Sequence, residues 1–293
     1  MNQGSKDAEG QAVAIKSQWS DLVARTVSAL FLGVLVIGAT VYGGWVFALL
    51  IGFGALIIHS EIVTITGNRL LDPLSILVAL GLAAAVVCTR IASVSDLAMW
   101  IALAAPVLAI GVRCVQKNAG WMVFSGLYGA AFALPLIWLR MDLGGDAPDL
   151  GLAALAFLFA VVWGTDVCAY FAGRLIGGPK LCPPISPGKT WSGAVGGTVG
   201  GVLLGVLLMQ AMIETSVTQL LFIAVGLSVV SQIGDLGESW FKRSFNVKDS
   251  GRILPGHGGL MDRVDGLVTA GVLACVIGWL RMPENPAQGL LVW

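Results

Sequence analysis

A chain of 293 residues in which 57% are hydrophobic and only 12% charged lies far from a soluble domain, where about 25% of residues carry charge. With a mean hydropathy of +0.87, the composition excludes a soluble enzyme or binding module and indicates an integral membrane protein. Basic and acidic residues balance at 17 each, so the placement of charge says more than its sum, and no nucleic-acid partner is expected.

The polar start, Met1 to Asp21, lacks a short apolar core followed by a small-residue cleavage site, so it reads as a cytoplasmic segment and not a signal peptide. Residues 22–293 read as one membrane domain. A membrane-crossing helix needs about 20 mostly apolar residues. That ruler predicts nine spans, at about 22–41, 44–63, 72–91, 96–113, 120–139, 150–171, 192–213, 219–241 and 263–281. Turn residues separate them at Tyr42-Gly43-Gly44, Asn68 to Pro73, Ser93 to Asp96, Lys117 to Gly120 and Asp142 to Asp149. The expected fold class is all-α and polytopic. Cys88, Cys114, Cys168, Cys182 and Cys275 form no CxxC pair, which argues against a disulfide framework or a zinc site.

Basic residues set the orientation, because Lys and Arg accumulate on the cytoplasmic side. With the N-terminus inside and nine crossings, the outer side receives only Arg90, Arg140 and Arg281 of the 17 basic residues. The N-terminus is therefore expected in the cytoplasm and the C-terminus outside. A miscounted span would scramble this division.

Four elements then bring polar groups to the inner side. Span six ends there with Asp166 and Tyr170. Span eight carries Asp235, Glu238 and Lys242 at i, i+3 and i+7, on one helical face. Span nine begins there with Asp262 and Asp265. The loop between spans six and seven holds Lys180 and Ser186-Pro187-Gly188-Lys189-Thr190-Trp191 just before a helix starts. Ionisable groups in spans are costly and tend to line functional cavities. Plainer readings exist for each: Asp166 as an acid at a helix end paired with Arg174, and Thr190 as an ordinary helix cap. A helix start with Lys189 beside it also suits phosphate. The loop is not a Walker A sequence, because Pro183 stands where the first glycine would be. His59 and Glu61, near the inner end of span two, read as interfacial. Gly193, Gly196, Gly197, Gly200, Gly201 and Gly205 recur at helical spacing in span seven, as close helix packing requires.

The richest stretch runs from Glu238 through Lys242, Arg243, Lys248 and Asp249 to Gly256-His257-Gly258-Gly259-Leu260-Met261-Asp262-Arg263-Val264-Asp265. Asp262 and Asp265 lie one turn apart on a helix. Carboxylates so placed can share a hard divalent cation such as Mg2+. The basic residues suit phosphate, and the glycines let backbone approach closely. A membrane-surface anchor would need positive charge alone; the interleaved acids and Gly-His-Gly-Gly go beyond it.

Ser239-Trp-Phe-Lys242-Arg243, Lys248-Asp249-Ser-Gly251-Arg-Ile-Leu254-Pro255 and Gly-His257-Gly258-Gly259-Leu260-Met-Asp262-Arg263-Val264-Asp265 together resemble the signature of the phosphatidate cytidylyltransferases, or CDP-diacylglycerol synthases. Asp166-Val-Cys-Ala169-Tyr170-Phe171-Ala-Gly173-Arg174 and Ser186-Pro187-Gly188-Lys189-Thr190-Trp191 resemble two further blocks of that family. The resemblance is strong from about Asp166 to Gly266 and rests on hydropathy alone over the first five spans. It puts the catalytic part at about 160–270. Val167-Cys168 and Ser192 depart from the family pattern beside residues expected to bind ligands.

The resemblance implies that CTP and phosphatidate give CDP-diacylglycerol and pyrophosphate. It implies dependence on Mg2+, room for a monovalent cation such as K+ near the aspartates, and a homodimer. Asp235, Asp262 and Asp265 would be the metal-associated acids and Lys242 a phosphate-facing base. The phosphate of phosphatidate is itself the nucleophile, so no serine or cysteine nucleophile is required. Charge on the non-bridging oxygens of the transferred phosphoryl group and on pyrophosphate would be neutralised by Lys242, Arg243, Lys248, Arg263 and Lys189. His257 would hydrogen-bond the triphosphate, and Asp166, Tyr170, Ser186 and Thr190 complete the expected substrate site. The setting implied is a cell inner membrane, with the site facing the cytoplasm. The competing readings are a CTP-dependent polyprenol kinase and an ion-coupled transporter, whose acids would instead mark the middle of the bilayer.

Overall fold

A computed structural model of the chain describes residues 30–91, 119–141, 149–251, 253 and 258–293. Within these the order of helices is α1 (Leu30–Tyr42), α2 (Gly44–Ile65), α3 (Pro73–Arg90), α4 (Ala119–Leu139) and α5 (Leu150–Leu175). A two-stranded hairpin follows, β1 (Lys180–Cys182) with β2 (Ser186–Thr190). Then come α6 (Trp191–Met212), α7 (Val217–Ser244), α8 (Met261–Arg281) and α9 (Pro286–Leu291). Seven of the described helices, α2 through α8, are long and apolar enough to cross a membrane. The chain is a multi-pass membrane protein. The predicted spans from 44–63 onward coincide with these helices, the span at 22–41 is met by α1 in its described part, and the one at 96–113 lies outside the described residues.

Local chemistry sets several boundaries. Asp72 accepts from the Leu74 amide at 2.9 Å, and Pro73 occupies the first turn of α3, where its missing N–H costs nothing. Asp149 accepts from the Leu152 amide at 2.8 Å at the start of α5. Thr190 caps α6 as its sequence suggested, accepting from the Gly193 amide at 3.1 Å.

Two features were not in the sequence reading. The segment before α6 is an antiparallel hairpin, with Lys180 opposite Thr190 and Cys182 opposite Ser186. Its bend holds Pro183 and Pro184, whose fixed φ favours a turn. Among the described residues the fold is thus all-α apart from one short pair of strands. After α8 the chain turns back as α9, whose apolar face is buried; Gly278 leaves no room for a side chain against the Pro286 backbone.

The glycine stripe of α6 serves close helix packing as expected, and the helix it packs against is α5. A Cβ at Gly197 would stand 2.7 Å from the Thr165 carbonyl, and one at Gly201 would stand 2.5 Å from that of Val161. Small residues allow this approach in lipid, where association depends on packing. At the far end of the bundle, buried Arg140 donates to the Thr40 carbonyl at 2.6 Å and to that of Val41 at 3.1 Å, and pairs with Asp149 at 2.9 Å. It thereby satisfies the carbonyls left open at the end of α1.

Candidate active site

The end of the bundle opposite Arg140 collects the last turns of α5 and α7, the hairpin, and the first turns of α6 and α8. An aromatic cluster fixes the end of α7: Trp121 and Phe124 of α4 meet Phe241 at 5.4 and 5.5 Å between ring centroids. Phe245 packs 5.1 Å from Trp121. Lys242, beside Phe241, is therefore aimed inward. Its ammonium donates to Asp262 Oδ1 at 2.6 Å and lies 3.3 Å from Glu238 Oε1.

Asp262 is further held by backbone. Its Oδ2 accepts from the Ser250 amide at 2.9 Å and the Gly259 amide at 3.0 Å. Gly258 has φ +80°, and a Cβ there would come within 2.8 Å of Asp262 Oδ2. The glycines of this stretch thus bring the backbone onto one of the protein's own carboxylates.

The other acids face one another. Lys189, presented by β2, forms an ion pair with Asp235 of α7. Asp265 lies in the field of Asp235, Glu238 and Lys189, and Asp166 in that of Asp265, Asp235 and Lys189. Glu238 is 3% exposed, and its one cation among the described residues is Lys242, which it shares with Asp262. A buried carboxylate that shares its only cation and stands beside a second acid is costly, and a further cation would offset that cost. The donor set is oxygen only, which suits a hard divalent ion. Among the described residues no three such side chains already stand as a formed metal cage; the acids are gathered, and Asp262 is taken up by Lys242 and the two amides.

The remaining predicted residues sit around this cluster. Tyr170 and Asp166 are exposed at the end of α5, and the Tyr170 hydroxyl accepts from Arg174 at 2.8 Å. Ser186 lies half-buried in β2. Thr190 is buried as the α6 cap. Arg243 is exposed and donates to the Val247 carbonyl at 3.3 Å, while Lys248 and Arg263 are exposed on the same end. His257 lies outside the described residues. The two departures from the family pattern serve packing: Cys168 faces Gly200 across the α5–α6 seam, and Ser192 donates to the Gly177 carbonyl and lies 3.1 Å from Thr190 Oγ1.

His59 and Glu61 correct the sequence reading. Both are 3% exposed and belong to the interior, not the interface. His59 is held between Ser125 Oγ at 2.8 Å and Ser75 Oγ at 3.0 Å. Glu61 binds the start of α8: its oxygens accept from the Leu260 amide at 2.7 Å, the Met261 amide at 2.8 Å and the Ser250 hydroxyl at 3.1 Å. The signal for it was an acid inside an otherwise apolar span, a position that ordinarily marks function.

Comparison with known proteins gives the family. The model described as the Cytidylyltransferase family matches residues 23–280. A phosphatidate cytidylyltransferase of Brucella suis biovar 1 is 48% identical over 174 residues, which are 59% of this chain and 62% of the relative. The match therefore spans less than two thirds of that relative's length. One of Haemophilus influenzae is 38% identical over 144 residues, 47% of this chain and 50% of the relative. One of Staphylococcus saprophyticus is 34% identical over 245 residues, 82% of this chain and 93% of the relative. With the profile running from the first predicted span through all but the last residue of α8, the chain belongs to the cytidylyltransferase family.

Proposed function

We propose that this protein transfers the cytidylyl group of CTP to phosphatidate, forming CDP-diacylglycerol and releasing pyrophosphate for phospholipid synthesis. The observation that carries the reading is the placement of two lysines from different elements, Lys189 and Lys242, on either side of the Asp166–Asp235–Glu238–Asp265 acids. An acidic cluster flanked by movable cations is what a site for two phosphate-bearing substrates and a divalent ion requires.

Lys189 and Lys242 are each spent on an aspartate in the free protein. On substrate binding each would pass from its carboxylate to a phosphate oxygen, Lys189 from the hairpin and Lys242 from the end of α7. Arg243, Lys248 and Arg263 would draw the anionic substrates to the mouth, with Tyr170 and Ser186 at its edge and Thr190 beneath it as the α6 cap, and the resemblance assigns His257 to the triphosphate. Asp235 and Asp265 would hold Mg2+, joined by Asp262 once Lys242 leaves it, and a K+ ion would fit beside the same acids. A divalent ion held there would supply positive charge to offset what develops on the α-phosphate and the leaving pyrophosphate. The lipid phosphate attacks the α-phosphorus, the bond to the β,γ-pyrophosphate breaks, and no covalent enzyme intermediate forms.

The orientation proposed is N-terminus inside, C-terminus outside, with the site facing the cytoplasm of an inner membrane. Lys180, Lys189, Lys242 and Lys248 lie at the site end, whereas Arg90, near Trp45 at 6.0 Å, and Arg140 lie at the other. α3 ends at that far end and α4 begins at the site end, as nine crossings require. A homodimer is proposed on the family resemblance.

Purified protein with phosphatidate, Mg2+ and CTP labelled at the α-phosphate should place label in the lipid. Label entering only from the γ-phosphate would make it a kinase. Solute flux in liposomes without turnover would make it a transporter.

A further inference from the structure

We infer that Glu61 is a positioning residue for the reaction: a carboxylate on α2 that caps α8 and so sets the height at which Asp262 and Asp265 meet α7. The inference rests on the proposed cytidylyl transfer for its kinetic part and on geometry alone for its structural part.

A helix N-terminus leaves about four amides without intrahelical partners. At α8 the N-cap position is Leu260, which has no polar side chain to accept from them. The Leu260 and Met261 amides go instead to the two oxygens of Glu61, at 2.7 and 2.8 Å. This carboxylate comes from a helix 200 residues earlier in the chain. The positive end of the α8 dipole favours an anion there, and among the described residues no Lys or Arg pairs with Glu61. The place that a phosphate could take at this helix start is filled by the protein's own acid.

Glu61 also holds the other side of the loop. Ser250 gives its hydroxyl to Glu61 Oε2 at 3.1 Å and its amide to Asp262 Oδ2 at 2.9 Å. A Cβ at Gly251 would stand 2.9 Å from Glu61 Oε1, and one at Gly259 would stand 2.6 Å from it. Backbone therefore closes over the carboxylate from both sides, which is why glycine occupies both positions. Glu61 and Asp262 share Ser250 and together lock residues 250 and 259–262 into one arrangement. Asp262 in turn fixes Lys242. A shift of α8 by a fraction of a turn would carry Asp265 away from Asp235, and misplacement of about 1 Å at a catalytic group can cost about a hundredfold in rate.

The test uses full-length protein in detergent or nanodiscs, comparing wild type with Glu61→Gln and Glu61→Asp. Gln keeps the size but replaces one acceptor oxygen with a donor, and Asp keeps the charge but falls short of the two amides. Amide hydrogen exchange over residues 258–262 should rise in both variants while the α5–α6 seam stays protected. The kcat for CDP-diacylglycerol formation should fall about tenfold or more, with KM for CTP and for phosphatidate within about threefold. Unchanged exchange at 258–262 in Glu61→Gln would overturn the cap. Raised exchange with unchanged kcat would overturn its role in positioning, as would a change in KM alone. Should wild type make no CDP-diacylglycerol, the functional reading fails, and the exchange result still decides the cap.

Discussion

Lys242 in the last turn of α7 donates to Asp262 in the first turn of α8 across 2.6 Å, and with the Ser250 amide on the same carboxylate this contact joins the two halves of the signature stretch. Its second neighbour, Glu238, has no other cation within ion-pairing distance among the described residues. Lys242 thus has a structural duty as well as the phosphate-binding one expected of it.

Removing Lys242 should therefore cost stability as well as turnover. The Lys242 side chain is 13% exposed and that of Glu238 1%, and truncating one partner of a buried pair leaves its acids uncompensated. Lys242→Ala is expected to lose about 3 kcal/mol, measured by thermal unfolding in detergent. Adding Glu238→Gln should return part of that loss, because the stranded charge is gone. An additive double mutant would show that the two side chains do not interact.

Asp265 and Asp262 should separate by readout. Asp265→Asn is expected to lower turnover about a hundredfold or more with an unchanged melting temperature, and to raise the Mg2+ concentration for half-maximal rate. Asp262→Asn should lower both rate and melting temperature, since Asp262 receives Lys242, Ser250 and Gly259. A chelator should abolish wild-type turnover, and Mg2+ should restore it.

Lys189→Ala should act on nucleotide binding. The pair with Asp235 is partly open, at 27% and 30% exposure, so its loss should change stability by less than about 1 kcal/mol. Losing a charge-assisted contact to phosphate should raise KM for CTP about tenfold, as measured in steady-state kinetics with phosphatidate saturating.

The α5–α6 seam should resist any added side chain. Gly201→Ala would bring a methyl against the Val161 carbonyl and the Thr165 amide, and about 1–3 kcal/mol of destabilisation is expected from such overpacking. Gly188→Ala, with nothing within 4 Å of the added carbon, should leave the melting temperature in place.

Sidedness is open to direct labelling. Lys180→Cys should react with an impermeant thiol reagent only from the cytoplasmic face, and Glu284→Cys, beyond α8, only from the opposite face. Both positions are exposed, and reversed labelling would invert the proposed orientation.

Hydropathy alone placed α2 through α8 to within a few residues, because bilayer thickness sets the length of an apolar run and a crossing helix satisfies its own backbone. One-face spacing likewise exposed Asp235, Glu238 and Lys242, and the repeat of small residues in α6 anticipated a close helix seam, though not that α5 forms its other side. These are local, one-dimensional properties of the chain. Which acid caps α8, which lysine meets which aspartate, and that the residues before α6 form a hairpin depend on how helices pack sideways, and many lateral arrangements share one hydropathy profile. Glu61 shows the difference: in sequence it is an isolated acid in an apolar span, and only the docking of α2 beside Leu260 and Met261 turns it into the cap of the helix that carries the aspartates.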